Sequence, residues 1–343
     1  MFCISLEHPN SMRKLLAIFA LIATLVGCNK QQDGLDVLIG GPVQTPISVS
    51  IDETRAAGVD SAEGIFEQGI LTSDDVTLRY ILQIYIDGVA ADMRLVEYSD
   101  TKSVEFMPTL IPGRDYKFVV WADVVTKAQG ADKFTDTDNH YVTKSASGKS
   151  TLDNITLKGD WNAMDETRDA FTGFVVKNNF TGGNVTINLT RPFAKLRIVA
   201  TDKTAYTVKP ATGKITYTTD HRVKFNAVTG TAKAASLADK QHTYTIGDVG
   251  VYTDDKAGTQ TLLTDYFFAL DDKISFAFAI YEEGASEPWM NRTYVLEDVA
   301  VKRNSITTIN GKILTGKEIE PGDITINDWN SGGNTNIDDF ISH

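Results

Sequence analysis

The sequence predicts an all-β protein, and three observations carry the prediction. Apolar residues recur with period two along most of the chain, which is the pattern of a strand with one buried face and not of a helix. Turn-forming pairs such as Pro112-Gly113 and Thr229-Gly230 separate these runs at short intervals. No amphipathic segment of helical length lies between them, so the strands return by hairpins and loops instead of helical crossovers. The expected architecture is two tandem antiparallel β-sandwich domains, transthyretin- or immunoglobulin-like, over residues 44–201 and 202–343.

The elements follow in chain order. Ile47-Ser48-Val49-Ser50-Ile51 is a short alternating strand. Val76 to Ile86 is the cleanest run, with Val76, Leu78, Tyr80, Leu82, Ile84 and Ile86 on one face and Thr77, Arg79, Ile81, Gln83 and Tyr85 on the other. Ser103–Phe106 follows, then Tyr116–Ala122 after the Pro112-Gly113 turn. The stretch Val124–Lys158 is less regular and rich in Asp, Ser, Thr and Lys, and reads as loop with one short helix. Val185–Leu189 alternates again, and Ala194, Leu196 and Ile198 continue beyond Pro192, whose missing N–H suits an edge or a bulge. In the second half the expected strands are Ala205–Val208, Lys214–Thr218, Val223–Phe225, Thr243–Ile246, Tyr266–Ala269, Ile274–Ile280, Thr293–Leu296, Ile306–Ile313 and Ile324–Ile326. Pro210–Gly213 reads as a turn.

The N-terminus carries a different signal. Arg13-Lys14 precedes an apolar run from Leu15 to Val26, too short for a stable membrane span. The run closes on Leu25-Val26-Gly27-Cys28, so residues 1–27 resemble a bacterial lipoprotein signal peptide. That resemblance implies cleavage before Cys28, a diacylglycerol on its thiol, and an outer-membrane lipid as the first partner. Residues 28–43 are rich in Gln and Gly and read as a flexible tether. Removal of residues 1–27 leaves 316 residues and, with Glu7, Arg13 and Lys14 gone, takes the net charge from −12 to −13. An acidic exported chain has no general electrostatic reason to bind nucleic acid. Cys3 leaves with the signal and Cys28 is acylated, so the mature form has no disulfide and depends on its cores.

No constellation in the sequence supports an enzyme, and no cofactor is expected. The histidines are His8, His140, His221, His242 and His343, none with a second histidine or cysteine at metal-ligand spacing. Gly148-Lys149-Ser150 ends like a phosphate loop, but Thr143 stands where the leading glycine belongs, and a polar turn is expected. Asp136-Thr137-Asp138-Asn139 spaces carboxylates as calcium loops do, without the following glycine or the distal glutamate. No acidic pair is placed to act as acid and base on a glycoside. Trp121 is expected in the core, whereas Trp161, Trp289 and Trp329 read as a rim sealing a sandwich, or else as a platform for a sugar ring.

Several stretches, in order, resemble the fimbrillin family, the lipoprotein-precursor pilins and adhesins of type V pili. They are Tyr116–Asp123 (YKFVVWAD), Arg168–Gly173 (RDAFTG), Leu189–Leu196 (LTRPFAKL), Val301–Gly311 (VKRNSITTING) and Ile324–Trp329 (ITINDW). In this chain Arg168 and Asp169 read as a charged corner beside a buried Phe171. The resemblance implies two β-sandwiches and a structural or adhesive (tip or accessory) role. Its partners are then other pilin subunits added by β-strand complementation, and a host protein or glycan as ligand.

In such polymers an Arg-directed protease removes the first strand, and a strand from the next subunit fills the groove. Transferred here, the displaced strand is Ile47, Val49 and Ile51, and the cut falls at Arg55 in the polar loop Asp52–Gly58. The candidate donor is the strand of Ile324 and Ile326, although Ser331–Asn336 beyond it is polar and glycine-rich. A different class of function also fits an all-β lipoprotein: a lipid-anchored glycan-binding protein of a nutrient-uptake system, which exposed aromatic platforms would favour.

Overall fold

Alternation commits the chain to strands, and the number of apolar faces it creates decides how many layers must stack to cover them. In the computed structural model the described residues are 41–51, 65–66, 69–159, 163–205, 209–235, 241–246, 258–319, 323–328 and 334–336. They belong to one compact unit that begins at Gly40. The first strands are β1 (Val43–Gln44), β2 (Ile47–Ile51), β3 (Val76–Ile86), β4 (Val89–Ser99), β5 (Ser103–Phe106), β6 (Thr109–Leu110) and β7 (Arg114–Thr126). Next come β8 (Tyr141–Val142), β9 (Ile155–Leu157), β10 (Ala170–Phe180), β11 (Val185–Leu189) and β12 (Phe193–Ala200). The remainder are β13 (Pro210–Tyr217), β14 (His221–Asn226), β15 (Thr231–Ala235), β16 (Gln241–Thr245), β17 (Gln260–Phe268) and β18 (Asp271–Glu282). The last are β19 (Tyr294–Lys302), β20 (Ser305–Gly311), β21 (Ile324–Asp328) and β22 (Asn334–Asn336). Helical geometry among the described residues is confined to single 3₁₀ turns.

The strands form layered sheets. A four-stranded sheet, ordered β10-β7-β3-β4, faces a three-stranded sheet, β11-β2-β5. Between them lies a core built from alternate residues, with Leu78, Tyr80, Leu82 and Ile84 of β3 meeting Ile47, Val49, Ile187 and Leu189. A large sheet runs β22-β21-β20-β12-β17-β14-β9-β8, with β15 beside β14, and faces a second four-stranded sheet, β16-β13-β18-β19. Their core joins Leu196, Ile198, Leu263 and Phe267 to Ile215, Phe276 and Phe278.

A third core seals the outer face of β3-β7-β10 against the large sheet. Trp121 sits fully buried there, as expected, among Tyr141, Phe193, Phe225 and Phe268. Both faces of β3 are therefore covered, which explains why Arg79 and Gln83, on its polar side, are also buried. The large sheet draws strands from both sides of the expected 201/202 division, since β8, β9 and β12 pair into it with β14, β17 and β20.

Most neighbours are antiparallel, but two pairs are parallel, β2 with β11 and β12 with β20. Four local expectations need correction. Ala205, expected to open a strand over Ala205–Val208, closes the 3₁₀ turn Lys203–Ala205, and residues 206–208 lie outside the described residues. Val124–Lys158 holds no helix; it carries the end of β7 and the short strands β8 and β9, because the irregular stretch must still cover Trp121. Pro210–Gly213 is the start of β13 and not a turn. Proline is tolerated at the first strand position, and a Cβ on Gly213 would stand 2.1 Å from Cζ of Tyr244 on β16, so the glycine serves close packing. Ile306–Ile313 is two elements, β20 ending at Gly311 and a 3₁₀ turn over Ile313–Thr315.

Candidate functional site

The candidate site is the slot that β2 occupies. Its sequence, aliphatic at alternate positions with serines between, puts Ile47, Val49 and Ile51 inward at 0, 1 and 5% exposure. The strand is central in its sheet. On one side Ile47–Ile51 runs parallel to Val185–Leu189, and on the other Ile47–Ser50 runs antiparallel to Phe106–Ser103. Ser50 Oγ donates to Asn188 Oδ1 at 3.0 Å on the outer side. Thr45, just upstream, is also buried, and its N–H donates to Pro108 O at 2.9 Å. Val43, at the end of the expected tether, already pairs with Leu110 in the β1–β6 ladder.

The strength of this lodging can be sized. Burying three aliphatic side chains contributes about 5–9 kcal/mol at most on an area scale. Removal would also leave β5 and β11 as facing open edges with a row of unpaired backbone groups. The next described residues after Ile51 are Ile65 and Phe66, and both pack into the same core. Arg55 lies outside the described residues, and so does Cys28.

The candidate donor is in a different situation from a loose arm. Ile324–Asp328 pairs residue for residue with Ile309–Ser305 of β20, and β22 pairs on its other side. Ile326 is buried, and Ile324 packs against the core of the large sheet.

A second set of residues, only partly visible in the sequence, forms buried ionic clusters. Arg79 forks onto Asp123, with Nε donating to Oδ1 at 3.0 Å and Nη2 to Oδ2 at 2.8 Å. It also reaches Asp136 and Asp138 at 2.8 and 3.0 Å. Arg94 holds Asp136 through two further bonds of 2.9 Å, with Lys144 at 3.2 Å. Burial alone would raise the Asp136 carboxyl, but the Arg94 and Arg79 guanidinium groups hold it well below the usual range. The two carboxylates with calcium-like spacing are thus occupied by arginines and tie the 127–158 segment onto β3. Gly148, at φ 79°, belongs to a surface turn closed by Gly148 N–H on Ser145 O.

The charged corner at Arg168 and Asp169 is deeper than its sequence suggests. A 3₁₀ turn, Glu166–Arg168, is capped by Asp165, which accepts from Thr167 N–H. From it Arg168 reaches Asp265 at 2.9 Å and Tyr266 O at 3.0 Å on β17. Glu166 takes Lys195 of β12 at 2.9 Å, and Asp169 takes Arg191 at 2.7 Å. Burial pushes the Asp265 carboxyl up to about 6, against the pull of Arg168 and the Tyr217 hydroxyl. Arg191 lies over the Phe171 ring, 4.6 Å from its centre. These groups bind one another across the layers.

The tryptophans divide. Trp289 packs partly buried against the core with its indole N–H on Leu314 O at 2.9 Å, the rim arrangement. Trp161 and Trp329 lie outside the described residues.

Comparisons with known proteins add the following. The sequence profile described as "Family of unknown function (DUF6562)" matches residues 40–338. No curated protein matches the sequence. Similar solved structures include a fimbrial assembly protein from Parabacteroides distasonis at 12% identity and TM-score 0.43, covering 86% of this chain and 98% of that one. The tip fimbrial protein Mfa3 from Porphyromonas gingivalis, with a C-terminal truncation, aligns at 13% identity and TM-score 0.43, covering 84% and 100%. A structure from Bacteroides thetaiotaomicron, described as "putative polysaccharide binding proteins", aligns at 13% identity and TM-score 0.45, covering 83% and 96%.

Proposed function

Since this chain belongs to the family of unknown function DUF6562, which fixes no activity, we propose from its own residues that it is a fimbrillin-like surface protein. It acts as a non-enzymatic structural or adhesive subunit of a type V pilus, exported as an outer-membrane lipoprotein through Cys28. The observation that carries the reading is the seat of β2. Preceded among the described residues only by the two-residue β1, it is bonded on both sides and sunk into the core by three alternate residues, yet its chain continues to the rest through the segment that contains Arg55. A cut at Arg55 frees the strand covalently without touching either neighbour, and an extended peptide of the same pattern can then take its place. The self-paired β21 favours a tip or accessory place over a shaft one.

The test is N-terminal sequencing of protein drawn from assembled surface fibres, beside Arg55→Ala and Cys28→Ser strains. Fibre-borne protein is expected to begin at Ala56, and Cys28→Ser is expected to abolish lipid attachment. Fibre-borne protein that still begins at Cys28, or polymer ladders unchanged by Arg55→Ala, would exclude cleavage there. A Cys28→Ser protein that still takes up palmitate would exclude the anchor.

A further inference from the structure

Of the nine large hydrophobic side chains exposed among the described residues, four gather at one end of the first pair of sheets. They are Val43 at 41% exposure, Val89 at 69%, Met107 at 47% and Ile111 at 47%. The strand registers place all four at that end. Val43 pairs with Leu110, the neighbour of Ile111. Met107 follows Phe106, the partner of Ile47 at the entry to β2. Val89 pairs with Ile86, and Ile86 with Tyr116. The Tyr116 hydroxyl in turn accepts from Ile111 N–H at 2.9 Å and donates to Ile111 O at 3.0 Å. An aliphatic cluster at a sandwich end costs solubility unless something covers it.

The chain itself identifies what lies opposite. It enters the fold at this end, where Gly41 and Pro42 lead into Val43, and Cys28 stands only thirteen residues before Gly41. Thirteen residues span at most about 45 Å in any conformation, so an anchor at Cys28 keeps this end within that distance of the membrane. We propose that this end is the face the acylated precursor lays on the bilayer, with Val43, Val89, Met107 and Ile111 entering the headgroup–acyl boundary. The proposal rests on the lipoprotein reading of Cys28.

Two physical points support a lipid surface as the occupant. The tether holds the face near the membrane at a high effective concentration, so a small apolar contact is enough to set orientation. Charge opposes the contact little where Arg114 pairs with Asp87 at 2.7 Å, one cation against one carboxylate at the tip beside Val89. Cleavage at Arg55 would release the tether and Val43 together, and free this end when the subunit leaves the membrane.

The test uses the full acylated chain in phosphatidylethanolamine–phosphatidylglycerol vesicles that carry a headgroup nitroxide lipid. Met107→Cys, Val89→Cys and the control Val295→Cys, 68% exposed on β19, each receive a fluorophore on the introduced thiol. Severalfold stronger quenching at positions 89 and 107 than at 295 is the expected result. Equal quenching at all three overturns the face. Self-quenching at 107 that follows protein density and ignores the nitroxide assigns the cluster to a second copy, and also overturns it. The mass of the N-terminal peptide separates the two levels: without the acyl group on Cys28 the anchor reading fails and takes the proposal with it, whereas an acylated chain that shows no bias fails the face alone.

Discussion

Replacing Val49 by threonine keeps the side-chain volume and β-branching and adds one hydroxyl, at a position 1% exposed between Ile187 and Val104. An unmatched hydroxyl in such a place costs about 1–3 kcal/mol. Ser50→Thr, one residue on, extends toward the outer side where Ser50 meets Asn188, and should change stability by less than about 0.5 kcal/mol. Urea midpoints for the two variants, compared at unchanged slope, read the difference directly. In a chain cut after β2 the same 1–3 kcal/mol corresponds to roughly 5–150-fold weaker retention of the strand. Equal costs at 49 and 50, or a larger cost at 50, would refute the reasoning, because a slip of one residue exchanges the two faces of a strand.

Three further predictions concern the buried charges and one glycine. Arg79→Met leaves Asp123 buried without its counter-charge and should destabilise by about 3–5 kcal/mol, while adding Asp123→Leu should recover most of the loss in denaturant melts. Gly213→Ala drives a methyl into the Tyr244 ring and should cost about 1–3 kcal/mol, relieved by Tyr244→Leu; an additive double variant would contradict the contact. Asp265 and Asp136 give opposite pH signs. Asp265, raised to about 6, contributes stability that is present below its unfolded value and lost as pH rises through 6, so Asp265→Asn should flatten the melting temperature between pH 4 and 6. Asp136, held low, contributes stability that is present above its unfolded value and lost as pH falls through its folded one, so Asp136→Asn should lessen acid sensitivity below pH ~4.

Strands with one wet face were plain in the sequence, and strands with two dry faces were not. β2 and β11 alternate cleanly because each has one face on a core and one on the exterior. β17 is buried at all nine positions, so Gln260–Phe268 shows no alternation, and only its Tyr266–Phe268 end was recognisable as strand. β4 carries Ala, Asp, Arg and Glu among its aliphatics, and Arg94 looks like a surface charge until Asp136 is brought to it from 42 residues away. The same holds for Arg79, assigned to the second face of β3 with no partner named, which sits under a segment the sequence assigned to loop. The charged corner of Arg168 and Asp169 was legible as a corner, but their partners Asp265 and Arg191 were not, since no local pattern announces contacts across 97 and 22 residues. Within the candidate site, the inward register of Ile47, Val49 and Ile51 could be read directly, and the parallel partner Val185–Leu189 could not.

That parallel partner sets an order in time. Ser50 and Asn188 are 138 residues apart, so β2 meets this partner only after more than a third of the chain has followed it. Closing a loop of that length costs about 3 kcal/mol more entropy than closing a hairpin of four residues. The hairpin of β3 and β4 closes locally, so β2 should dock late, onto the sheet already formed from β3, β4, β7 and β10. A strand that docks after the rate-limiting step leaves the folding rate unchanged when it is weakened and raises the unfolding rate instead. If β2 docks in that order, Val49→Thr should leave the folding rate unchanged and speed unfolding alone, so the other sheets outlast the loss of this strand.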